Sequence, residues 1–108
     1  MTDLQLEQPD VDEIELTAVL HALSDPVRLG LVEELYRCGG ERTCGSFELP
    51  ISKSTATLHW RVLRDAGVVT AREEGTKKYH RLRRDDLDQR FPGLLQAVVI
   101  SGSIEEFS

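Results

Sequence analysis

Apolar residues first recur at helical spacing from Val11, through Ile14, Leu16, Ala18, Val19, Leu20 and Leu23, with Asp12, Glu13 and Glu15 in the first turn. The pattern predicts a first helix over about 11–23. Ser24-Asp25-Pro26 then marks a stop and restart, because Ser or Asp caps a helix and Pro suits its first turn. Val27, Leu29, Leu31, Val32 and Leu35 give a second helix over about 26–37, ended by Gly39-Gly40. Thr43 to Leu49 fits a short helix of a turn or two, closed by Pro50. With Ser52 or Ser54 as cap, the next helix covers 54–66, and Gly67 stands where a left-handed residue ends it.

Beyond Gly67 the period changes. Val68–Glu73 and Lys77–Leu82 read as short strands, and Glu74-Gly75 between them supplies a tight turn. A last helix starts near Asp85, is interrupted by Pro92-Gly93, and continues in the apolar stripe Leu94, Leu95, Val98 and Val99. The predicted fold is mainly α with a small β-hairpin, in the order α-α-α-α-β-β-α. A short helix, a longer one and a following hairpin make a winged helix-turn-helix. The expected organisation is a flexible tail over 1–10, one domain over 11–100 and a frayed end over 101–108. A chain of 108 residues suits one compact domain. No apolar run approaches the ~20 residues of a membrane helix. The acidic start, Met1 to Glu7, lacks the pattern of a secretory signal, so the expected location is cytoplasmic.

Charge changes the picture. The net charge of −6 argues at first against nucleic acid. Residues 52–84, however, hold nine basic side chains (Lys53, Arg61, Arg64, Arg72, Lys77, Lys78, Arg81, Arg83, Arg84) and three acidic ones (Asp65, Glu73, Glu74), a balance of +6. The remainder, with four basic and sixteen acidic residues, is −12. Affinity for a polyanion follows the local field at the contact surface.

On the helix 54–66, Ala56, Trp60 and Leu63 stand at i, i+4 and i+7 and are expected to face the core. The other side then shows Thr55, Thr57, Leu58, Arg61 and Arg64 to a major groove. Hydroxyls there suit several base edges, Leu58 a thymine methyl, and Arg61 guanine or phosphate. Ser52, Lys53 and Ser54 at the helix start fit phosphates, and Arg72, Lys77 and Lys78 on the wing fit backbone or minor groove. A helix with arginines on its solvent side is commonly just solvated. The hairpin behind it and the charge contrast favour double-stranded DNA as partner. Trp60 is read as core, by its spacing, rather than as a base-stacking platform.

Two segments, Ala22–Leu29 (ALSDPVRL) and Ser52–Val69 (SKSTATLHWRVLRDAGVV), resemble the signatures of the ArsR family of bacterial repressors. The wing, Glu74–Leu82, is similar too, and the resemblance spans roughly residues 14–99. It implies a DNA-binding transcriptional regulator acting as a repressor. It further implies a homodimer, joined through helix one and the last helix, on a palindromic operator. Family members often have a Ser-His-His-apolar run where this chain reads Thr57-Leu58-His59-Trp60.

Many members of that family release DNA on binding metal, and such sites need clustered Cys and His. Cys44 stands alone in its segment, the last helix has no His, and His21, His59 and His80 are scattered, so neither metal nor other cofactor is expected. Cys38 and Cys44 flank the Gly39-Gly40 break; they are candidates for a redox pair, against the commoner role of cysteine as a small hydrophobe. No phosphate loop, nucleophile elbow or metal-helix motif is present, so the chain is not read as an enzyme. A winged helix used as a protein-protein interaction module is the other class, disfavoured by the basic stripe. The effector is left open.

Overall fold

The computed structural model describes residues 4–5, 8–43 and 52–99. In chain order these form β1 (Leu4–Gln5), a 3-10 turn at Val11–Glu13, α1 (Leu16–Ala22), α2 (Pro26–Cys38), β2 (Arg42–Thr43), α3 (Lys53–Asp65), β3 (Val69–Glu74), β4 (Lys77–Leu82) and α4 (Arg84–Arg90). Residues 94–99 are again helical and are called α5. The winged helix-turn-helix predicted from sequence is the fold found. The short helix expected over 43–49 lies largely outside the described residues, as does the end beyond residue 99.

Local chemistry sets the main boundaries. The Asp25 carboxylate caps α2 by accepting from the backbone N–H of Val27 (2.9 Å) and Arg28 (3.1 Å), with Pro26 in the first turn. Ser52 caps α3 by accepting from the Thr55 N–H at 3.2 Å. At the other end of α3, the Gly67 N–H bonds the Arg64 carbonyl (3.0 Å) and the Val68 N–H the Leu63 carbonyl (2.9 Å). These two bonds form a Schellman motif, which needs a left-handed residue; Gly67 has φ +86°.

The expected first helix is shorter and split. Val11–Glu13 is 3-10, Ile14 and Glu15 are extended, and α1 begins only at Leu16. Tertiary contacts override the helical pattern here. The Ile14 carbonyl accepts from the Arg90 guanidinium at 2.6 and 3.2 Å, and the buried Ile14 side chain fills the space over Gly67.

The wing belongs to a four-stranded antiparallel sheet, ordered β1-β3-β4-β2. β3 and β4 pair from Val69↔Leu82 to Glu74↔Lys77 and turn through Gly75, at φ +62°. Alternation turns Val69, Ala71, His80 and Leu82 inward. The segment read as a loose tail contributes β1, with Leu4 opposite Glu73 and Gln5 opposite Arg72. Gln8 extends this edge with its side chain, accepting from the Ala71 N–H (2.8 Å) and donating to the Ala71 carbonyl (3.3 Å). The core joins Leu31, Val32 and Leu35 of α2 to Trp60 and Leu63 of α3, with Val68, Val69, Leu87 and Leu95 around them. The Trp60 and His80 rings stack at 3.9 Å between centroids and 8° between planes, fastening α3 to the wing.

Candidate nucleic-acid interface

The periodicity of α3 divides it into two faces. Trp60 and Leu63 are buried and Ala56 is half-buried, so the inner face seats the helix. Lys53, Ser54, Thr55, Thr57, Leu58 and Arg61 are exposed on the outer face, with the capping Ser52 at its start. The hydroxyls of this face are ordered by one another. Ser52 Oγ donates to Thr55 Oγ1 at 3.0 Å and lies 3.1 Å from Ser54 Oγ, and the Thr57 hydroxyl donates to the Lys53 carbonyl at 2.9 Å. Arg61 meets Asp65 at 3.7 Å, an exposed i,i+4 pair that solvent screens and that leaves the guanidinium available. Arg64 is half-buried beside the sheet.

On the wing, Lys77 is exposed at the tip and Lys78 lies 4.0 Å from Glu73. Arg72 departs from the expectation of a DNA-facing wing residue. Its guanidinium forms a two-pronged bond with the Glu41 carboxylate (2.8 and 3.0 Å), reaches Glu74 at 3.6 Å and lies over the Tyr79 ring at 4.5 Å. The pairing holds the Glu41 carboxyl below its usual range despite partial burial. A half-buried charge already met by two carboxylates has little left for phosphate. Arg72 therefore braces the base of the wing against the segment after α2.

A second clasp, not read from the sequence, orients α3. Arg28 Nε donates to the Ala22 carbonyl (2.7 Å) and Nη2 to the His21 carbonyl (3.3 Å), while Nη1 lies 3.3 Å from His59 Nδ1 on α3. Asp25 Oδ2 is 3.9 Å from the same nitrogen. Burial raises the Asp25 carboxyl, but the two capping N–H bonds and the charges of His59 and Arg28 outweigh it and hold the group below its ordinary value. The end of α1, the start of α2 and the middle of α3 are thus tied together by polar bonds beside the exposed face of α3. His59 serves as a packed partner in this clasp. The only sequence signal for it was the Asp25-Pro26 cap.

Among the described residues no three His, Cys, Asp or Glu side chains gather as metal ligands. Cys38 is exposed, its thiol 3.7 Å from the Gly40 carbonyl, and the partner considered for it, Cys44, lies outside the described residues. No helix among the described residues is long and apolar enough to cross a membrane.

Comparison with known proteins bears on the same segments. A family model described as a helix-turn-helix domain matches residues 23–72, from the end of α1 into the wing. The chain is 35% identical over 97 residues to the uncharacterized HTH-type transcriptional regulator YceK of Bacillus subtilis (strain 168), covering 88% of this chain and 95% of that protein. It is 36% identical over 75 residues to the arsenical resistance operon repressor of Staphylococcus xylosus, covering 68% of this chain and 71% of that one. A helix-turn-helix domain followed by a wing, with relatives of this kind, marks a DNA-binding transcriptional regulator rather than an enzyme. The chain belongs to the ArsR-like family of winged helix-turn-helix regulators.

Proposed function

We propose that this regulator is a cytoplasmic repressor that binds a palindromic operator as a homodimer, with α3 in the major groove and the wing on the neighbouring backbone. The observation that carries the reading is the two-faced α3. One face is locked to the core by Trp60 and Leu63, and the other presents Lys53, Thr55, Thr57 and Arg61 to solvent beside a cationic wing. A rigidly seated helix with a polar, cationic outer face meets the requirements of base readout. Ser52, Lys53 and Ser54 hold phosphates at its start. Thr55, Thr57, Leu58 and Arg61 face bases. Arg64, Lys77 and Lys78 add backbone contacts. The repressor sense follows the relative named as an operon repressor.

The dimer reading is supported by α1, where the large apolar side chains of Leu16 (43% exposed) and Leu20 (46%) stand one turn apart, open to solvent. A second copy joined there and along α5 relates two α3 helices by a two-fold axis, which suits a palindrome. The test is a pair of variants measured by fluorescence anisotropy on operator and scrambled duplexes. Arg61→Ala weakens operator binding and relaxes sequence preference. Lys77→Ala weakens both duplexes alike and lowers the salt slope by about one. Equal losses from both variants on both duplexes contradict this division of roles.

A further inference from the structure

The outer face of α3 is polar or charged at every exposed position except one. Leu58 is 60% exposed, the most open large hydrophobic side chain among the described residues. The hydroxyls around it are partly spoken for, Ser52 by Thr55 and Ser54, and Thr57 by the Lys53 carbonyl. The middle of the helix therefore offers a branched apolar tip, with the Arg61 cation one turn further on and Lys53 toward the start. Those cations suit a polyanion better than an apolar protein surface. In the major groove of a polyanionic duplex, the apolar feature that a leucine meets is the C5 methyl of thymine.

We infer that Leu58 is a specificity-determining residue that reads the C5 methyl of one thymine in each operator half-site. The inference rests on the proposed DNA-binding mode and adds to it the kind of base that the middle of α3 selects. A side chain without hydrogen-bonding groups gains nothing from the polar base edges and leaves them unpaired. Its preference therefore lies in the buried methyl, and cytosine or uracil at the same position lacks that contact.

The test begins with the duplex that the full-length chain selects from a random-sequence pool. Each thymine of that duplex is then replaced singly by deoxyuridine, which removes the methyl and keeps every hydrogen-bonding edge. One position per half-site is expected to weaken binding about fourfold, and both together about fifteenfold. Leu58→Ala, a substitution at an exposed site whose folding is checked by circular dichroism, makes those positions indifferent to the methyl. The inference is overturned if no deoxyuridine changes affinity by more than twofold, or if the sensitive positions stay sensitive in Leu58→Ala. Operator binding unchanged by Leu58→Ala also overturns it and turns attention to a protein partner for this side chain. A chain that selects a duplex yet ignores its methyls refutes this inference alone. A chain that selects no duplex refutes the DNA-binding mode as well.

Discussion

Acidification should destabilise this protein in large part through one buried ring. His80 is fully buried and stacked on Trp60 at 3.9 Å. Burial, reinforced by the charges of Lys78 and Arg64, pushes its pKa down from 6.5 to about 4. The folded state thus holds the ring neutral while the unfolded chain takes up a proton below 6.5. The stability from the neutral ring is complete above pH 6.5, falls as pH drops, and is lost by about pH 4. The gap corresponds to about 3 kcal/mol in all, of which about 2 kcal/mol is gone by pH 5. For a small domain that is a large share of the total. Because carboxylates also titrate in this range, the informative quantity is the difference between wild type and His80→Phe, which keeps an aromatic ring but cannot titrate. Urea unfolding followed by the fluorescence of Trp60, the sole tryptophan, at pH 7.5, 6, 5 and 4.5 measures it. The wild type is expected to lose about 2 kcal/mol relative to the variant between pH 7.5 and 5. Parallel pH profiles would falsify the claim that His80 is a buried neutral ring between α3 and the wing.

Two substitutions probe how α3 is seated. Gly67→Ala places a Cβ 2.6 Å from Ile14 Cγ1 at φ +86°, and is expected to destabilise by about 2–4 kcal/mol in urea unfolding. The loss should shrink when Ile14→Ala is combined with it, and a purely additive pair contradicts the contact. Asp25→Ala removes the cap of α2 and one partner of the Arg28–His59 clasp, with an expected cost of about 1–2 kcal/mol by the same assay. Asp25→Asn should retain most of that stability, since asparagine caps nearly as well; equal losses in the two variants rule out capping as the cause.

The elements that the sequence made legible are those decided by neighbours along the chain. Asp25-Pro26 starts α2, Gly67 stops α3 and Gly75 turns the wing, each through a bond or dihedral within a few residues. The i, i+4, i+7 spacing correctly placed Trp60 and Leu63 in the core, with Ala56 half-buried. What escaped depends on partners far away. Ile14 leaves the helical pattern because Arg90, 76 residues on, holds its carbonyl. Gln8 joins the sheet through Ala71, 63 residues on. Charge composition counted Arg72 among the DNA-facing cations because its partner Glu41, 31 residues earlier, lies outside any periodic pattern. The arginines and lysines were visible as a local excess. Which of them stay available to phosphate is decided by tertiary pairing.

The most direct test is anisotropy titration of the purified full-length chain on a labelled duplex from upstream of its own gene, against a scrambled duplex of equal composition, over 50–300 mM salt as about the useful range. The account predicts tight binding that prefers the upstream duplex and weakens steeply with salt, as phosphate neutralisation by the α3 start and the wing requires. Equal or negligible binding to both duplexes across that range contradicts it, and leaves the exposed face of α3 to a protein partner.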